Sequence, residues 1–163
     1  MESGKEMKNQ RMLDELTELM RIDVSSGQET EIAEHLVKKL EQMGFAITRD
    51  EAGATFGGVC GNILAVREGE RDGVVCFCSH MDRVPGGIGI KPVEEDGILR
   101  SSGDTILAAD DLSGVAAILE GVRQAIESGK ALPKLEILFT VGEEAGLYGA
   151  KAFDVSLLTS KTM

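Results

Sequence analysis

Basic residues are scarce in this sequence: 17 lysines and arginines stand against 28 aspartates and glutamates over 163 residues, a formal net charge of -11. Neutralising a phosphate backbone needs clustered Lys and Arg, so no nucleic-acid partner is expected. Cysteine is also sparse. Cys60, Cys76 and Cys78 are odd in number, and no pair has zinc-finger spacing. Cys76 and Cys78, on one strand face, read as buried reduced thiols rather than a functional pair, which suits a reducing compartment. No apolar run approaches the roughly 20 residues of a membrane helix. The N-terminal MESGKEMKNQ lacks the apolar core of a secretory signal. A cytoplasmic protein with no membrane partner is therefore expected. What remains, 42% hydrophobic and 28% charged residues, is the composition of an ordinary globular domain with enough chain for a core.

The hydrophobic period changes along the chain. Leu13, Leu16 and Met20 recur at helical steps and predict a helix over 8–21; Ile32, Leu36, Leu40 and Met43 predict a second over 29–43, stopped by Gly44. His35 lies beside that stripe among charged residues and reads as a solvated surface histidine. Short strand-compatible segments follow at 45–50, 61–67 and 73–79. The run Val74-Val75-Cys76-Phe77-Cys78 is apolar on both faces, which predicts a central strand. Gly86, Gly87, Gly89 and Pro92 mark 86–97 as loop or turns. A helix over 111–128, a strand over 134–141 and a short helix over 146–153 complete the pattern. Strands alternating with helices predict an α/β sheet covered by helices.

Three polar clusters fall where such sheets place their sites, just past strand ends or at the mouth of a helix. In Ser79-His80-Met81-Asp82, His80 and Asp82 point the same way on extended chain. Either this is a strand-end histidine with an acidic neighbour, or His80 is a metal ligand oriented by Asp82. In Asp110-Asp111, one aspartate would cap the following helix, which leaves the other to spare. Gly114 so early in a helix costs about 1 kcal/mol against Ala and signals close packing. Glu143-Glu144 follows a strand. Adjacent carboxylates there are either solvated or neutralised by a cation or proton. Together the clusters offer the His nitrogens and carboxylate oxygens that zinc accepts, plus a spare base.

The order His-x-Asp, Asp-Asp before a helix, then Glu-Glu after a strand resembles the family of two-zinc aminopeptidases, carboxypeptidases and aminoacylases. The flanks SHMD, VPGG, GDTILAADDLSG and VGEEAGLYGAK resemble its peptidase T-like, tripeptidase branch most. The resemblance implies a three-layer α/β sandwich, with a central mixed sheet and helices on both faces. It also implies two zinc ions per complete site holding a bridging water. His80 would bind one zinc, oriented by Asp82; Asp110 would bridge both; Glu144 would bind the second; Glu143 would be the general base. A cis peptide follows the bridging aspartate in the family, which places one at Asp110-Asp111. The implied reaction is hydrolysis of a short peptide at one end. A carboxypeptidase or N-acyl amino acid hydrolase reaction of the same family is the alternative.

Some positions depart from the branch. Arg83 replaces a usual Thr and is expected to bring a cation near the site. Ala109 replaces a Gly, and Leu112-Ser113 a Lys-Ala. The family's further zinc ligands and its covering, dimerisation domain would lie beyond residue 163. Residues 1–163 therefore read as the N-terminal part of a truncated zinc-peptidase catalytic domain, with an inactive remnant that binds cations weakly as a further alternative.

Overall fold

The computed structural model describes residues 2–161, with side chains described over residues 10–161. Its elements are α1 (Glu2–Arg21), α2 (Thr30–Gln42), β1 (Ala46–Arg49), β2 (Ile63–Arg67), β3 (Val74–His80), β4 (Pro92–Glu95), β5 (Ile98–Ser101), α3 (Ala109–Glu127), β6 (Lys134–Thr140) and α4 (Tyr148–Ala152). Single 3-10 turns cover Ala52–Thr55 and Val155–Leu157. The main sheet has the order β1-β2-β6-β3, antiparallel except for the parallel pair β3 and β6. No helix among the described residues is long and apolar enough to cross a membrane.

Strand alternation assigns the two faces of the sheet. Ile63, Ala65, Leu135, Ile137 and Phe139 turn one way, into a core completed by Leu19 and Met20 of α1, Ile32, Leu36 and Leu40 of α2, and Leu112, Val115 and Leu119 of α3. Leu64 and Leu138 turn the other way, under Phe153 just beyond α4. The mixed sheet with packed helices is as expected, but the helices α1, α2 and α3 gather on the first face. The second face is finished by chain rather than helix: Glu136, fully buried there, accepts the backbone N–H groups of Thr159 (2.8 Å) and Ser160 (3.1 Å).

Several sequence expectations need correction. The central strand is β6, buried from Leu135 to Thr140. β3 lies at the edge of the sheet among the described residues, with Val75 and Phe77 more than a third exposed. A two-sided apolar run says that a strand can be buried on both faces, not that it is. Cys78 is exposed and Cys60 half-buried; only Cys76 is a buried thiol. All three are free, and burial pushes the Cys60 and Cys76 thiol pKa values up. The 86–97 segment is not all loop, because β4 and β5 form a hairpin. Its turn is Asp96-Gly97, both at positive φ (52° and 72°), the Asp-Gly signal of a two-residue hairpin. Helix α1 starts well before residue 8, and α4 is only five residues long.

A polar seam joins the three long helices. Glu15 of α1 is 4% exposed and takes Lys39 of α2 at 2.8 Å and Arg123 of α3 at 3.1 Å. Arg11 pairs with Glu120 at 2.7 Å and Glu127 at 2.6 Å, and Arg123 also reaches Glu120 at 3.1 Å. His35 belongs to this seam and is not a solvated histidine. Its side chain is 20% exposed, with Nε2 at 3.7 Å from Glu15, because the face of α2 next to its apolar stripe packs towards α1.

Burial alone would raise the Glu15 pKa, but the neighbouring His35, Lys39 and Arg123 overcome it and bring the group from 4.5 to about 2. A depressed folded-state pKa stabilises the fold fully above 4.5, and the contribution is lost as pH falls through about 2. Glu15→Gln should therefore lower stability at pH 7 by about 1.5–3 kcal/mol, the range for hydrogen bonds to charged groups. In urea titrations the gap from the unsubstituted chain should close between pH 4.5 and pH 2. A pH-independent gap would show that the ion pairs contribute nothing.

Candidate metal centre

Parallel β3 and β6 end at the same level, with His80 opposite Thr140 and Met81 N–H donating to Thr140 O at 2.9 Å. The loops leaving these strands are therefore neighbours, and the start of α3 lies beside them. This is the crevice at the carboxyl ends of parallel strands, and it collects the polar residues singled out from the sequence. The ligand atoms of His80, Asp110 and Glu144 lie within 4.8 Å of one another.

Asp82 is the buried centre of the arrangement, with no exposed surface. Oδ2 accepts Ser26 Oγ–H at 2.5 Å and the Glu144 N–H at 3.0 Å, and Oδ1 accepts the Glu143 N–H at 2.9 Å. His80 Nδ1 lies 3.2 Å from the Asp82 carbonyl oxygen and 3.4 Å from Oδ1. That leaves Nε2 facing Asp110 Oδ1 at 3.1 Å, with Glu143 Oε2 at 3.9 Å. Burial acts to lower the His80 pKa; hydrogen bonds with Asp82 and Asp110, and the charges of Asp82 and Glu143, override it and raise the pKa to about 9. Burial acts to raise the Asp82 pKa, and His80, Ser26 and the two amides pull it below the ordinary range. The Glu144 pKa is raised, first by desolvation and then by the charges of Asp110, Glu143 and Asp82, with His80 acting against them.

The aspartate pair divides as helix physics expects. Asp111 caps α3: Oδ1 accepts the Gly114 N–H at 3.0 Å, and Oδ2 accepts Ser79 Oγ–H at 2.7 Å. Asp110 is the spare, its side chain 85% exposed with His80 as its partner. Neither has helical backbone angles, so regular helix begins at Leu112, and the Asp110-Asp111 peptide is cis. Gly114 is closely packed: a Cβ there would sit 2.7 Å from Asp111 Cγ.

Arg83 does not bring a cation to this crevice. It is 1% exposed and turns away, donating from Nη1 to Gly87 O (3.0 Å) and Met20 O (3.3 Å), and from Nη2 to Leu19 O (3.3 Å). Carbonyls at the C-terminal end of α1 attract a cation, and they draw Arg83 into the core.

Two residues behind the crevice escaped the sequence reading. Ser26 and Glu29 precede α2 in the spacing of a capping box, a local signal that points to a helix start rather than to contact with distant residues. Glu29 is fully buried, and its Oε1 accepts the Gly27 N–H at 2.8 Å and the Gly142 N–H at 3.0 Å. Burial pushes its carboxyl pKa up against those bonds.

The donor set suits a divalent cation. One imidazole nitrogen and carboxylate oxygens converge, and excess negative charge is left beside His80; borderline metals such as zinc accept both donor types.

The model of Peptidase family M28 matches residues 62–161. Uncharacterized protein YqjE of Bacillus subtilis is 38% identical over 151 residues, covering 92% of this chain and 41% of its own length. Aminopeptidase PepT of Bacillus cereus superposes with a TM-score of 0.90 at 39% identity, covering 93% of this chain and 41% of that one. A tripeptidase of Staphylococcus aureus gives a TM-score of 0.86 at 35% identity, with the same coverage. The chain thus spans about two fifths of the length of these relatives.

Asp82→Ala should leave the Ser26 hydroxyl and the Glu143 and Glu144 amides without their acceptor. At about 1–3 kcal/mol for a buried donor left unsatisfied, urea unfolding should register at least that loss. A change within about 0.5 kcal/mol, typical of surface substitutions, would mean that Asp82 organises nothing.

Proposed function

As this chain belongs to Peptidase family M28, we propose that it carries the metal-binding half of an exopeptidase that acts on short peptides, in the manner of a tripeptide aminopeptidase. The observation that carries this reading is the convergence of His80, Asp110 and Glu144 at the carboxyl ends of the parallel strands. The match to an aminopeptidase and a tripeptidase over 93% of the chain supports the substrate class.

His80 and Asp110 would hold one zinc ion, and Asp110 and Glu144 a second. Zinc, when bound, supplies Lewis acidity that polarises a carbonyl and makes water easier to deprotonate. The remaining work falls to the chain itself. Asp82 fixes the His80 ring through Nδ1, so Nε2 faces the crevice. Glu143 is the general base, held by its backbone N–H to Asp82, with its carboxylate 3.9 Å from His80 Nε2. It takes a proton from water and returns it to the leaving amine. Asp111, occupied by the start of α3 and by Ser79, plays no part in the chemistry.

In the longer protein that carries this segment, Glu143→Gln should lower kcat by 10²–10⁴-fold while metal content by atomic absorption is unchanged. Glu144→Gln should instead lose one of two metals. Normal turnover in Glu143→Gln would remove Glu143 from the base role. Parallel assays with a tripeptide, a C-terminally blocked peptide and an N-acyl amino acid separate aminopeptidase from carboxypeptidase and acylase chemistry.

Residues 1–163 alone should bind zinc weakly and turn over no tripeptide. They offer each metal two of these three ligands, where catalytic zinc commonly has three from protein. Isothermal titration alongside a tripeptide assay reads this directly. Tight binding of two zinc ions would show that the ligand assignment is incomplete.

A further inference from the structure

Three successive amides run through the turn that carries the proposed base and ligand, and each ends on a buried carboxylate. The Glu143 and Glu144 N–H groups donate to Asp82; the Gly142 N–H donates to Glu29 Oε1 at 3.0 Å. Glu29 lies far away in sequence, at the mouth of α2, and has no exposed surface. Burying a carboxylate is costly unless it is well paired, yet Glu29 Oε2 has no hydrogen-bond partner among the described residues. Glu29 also does not cap its own helix with its side chain. Its polar partners are two backbone N–H groups, Gly27 at 2.8 Å and Gly142.

The turn has little freedom of its own to replace this bond. Gly142 is at φ 59°, and a Cβ there would fall 2.6 Å from the ring of Phe56. The Phe56 ring stacks on Tyr148, centroids 4.9 Å apart, so the aromatic pair fills the space beside the turn. Ser26, three residues before Glu29, donates to Asp82. The segment between α1 and α2 therefore grips both the carboxylate behind His80 and the backbone before Glu143.

We infer that Glu29 is a positioning residue: through the Gly142 amide it fixes the turn that aims Glu143 and Glu144 at His80 and Asp110. The inference rests on the peptidase reading for the roles of those four residues, but the contact itself does not.

Because both donors converge on one oxygen, a Gln carbonyl can accept both, while Leu fills similar space and accepts neither. The test compares Glu29→Leu with Glu29→Gln in the 163-residue chain. Amide hydrogen exchange at Gly142, Glu143 and Glu144 should rise at least tenfold in Glu29→Leu, while interior β6 amides such as Leu138 stay within about twofold. Glu29→Gln should restore protection. Titration with cobalt(II), followed by its visible absorption, should show roughly tenfold weaker binding in Glu29→Leu, the scale of lost outer-shell support, with Gln close to the unsubstituted chain. If Leu prevents folding, Glu29→Asp withdraws the oxygen by one methylene, and loss of protection confined to 142–144 is again the expected result. Unchanged exchange at 142–144, or equal loss at 142–144 and in β6, would overturn the inference. His80→Ala is the separate control: unaltered cobalt binding in that variant would overturn the metal reading, while the exchange data would still decide the role of Glu29.

Discussion

The site depends on one buried negative charge. Asp82 has no exposed surface, and an unpaired carboxylate in that position would be prohibitively unfavourable. It is tolerated because three chain segments bring donors to it: Ser26 from the segment before α2, and the Glu143 and Glu144 amides from the turn after β6, with the His80 ring alongside at the end of β3. The same contacts run in reverse. Each segment is held at the crevice because Asp82 is there to satisfy it, and charge-assisted bonds of this kind are short and strong. Geometry at His80 follows, since a ring fixed through Nδ1 has its other nitrogen free to face a ligand.

The sheet makes that meeting possible. Parallel pairing of β3 with β6 in the register His80 opposite Thr140 brings the loop after each strand to one level. A slip of one residue would turn His80 to the opposite face. Register is fixed by the alternation of Leu135, Ile137 and Phe139 into the core and of Glu136 and Leu138 away from it. The apolar pattern of β6 thus sets the position of a polar site that it does not touch.

The legible parts of this molecule were those governed by local periodicity. The long helices, the strands of the main sheet and the spacing that puts His80 and Asp82 on one side of a strand end follow from residues a few places apart. So does the division of labour at Asp110-Asp111, because a helix start needs one cap. What was not legible came from distant partners. β3 reads as central although β6 holds that place. Arg83 reads as a cation beside the site, but helix-end carbonyls more than sixty positions away bury it. Ser26 and Glu29 drew no notice in the sequence, because their partners Asp82 and Gly142 lie 56 and 113 positions away. The β4–β5 hairpin is a different case: Asp96-Gly97 was a usable local signal, outweighed because Gly86, Gly87, Gly89 and Pro92 marked the whole stretch as loop or turns.

Two acidic clusters that resemble each other in composition differ in a way that decides what each can do. Glu15, Glu18 and His35 are grouped closely enough to suggest a cation site, as are His80, Asp110 and Glu144. In the first, Lys39 sits 2.8 Å from both glutamates and Arg123 3.1 Å from Glu15. Its charge is already neutralised by side chains that also tie α1, α2 and α3 together, so a metal would have to displace them. In the second, no lysine or arginine among the described residues forms an ion pair with Asp82, Asp110, Asp111, Glu143 or Glu144; His80 is the only cationic partner. Five carboxylates around one imidazole leave negative charge uncompensated, at a place where Arg83 could have supplied the balance and instead turns into the core. Such an excess is relieved by solvent, by a proton or by a bound cation, and only the cation would also use the converging donor atoms. The physical case for a metal centre therefore rests less on the presence of ligand residues, which both clusters have, than on the absence of a protein cation in one of them.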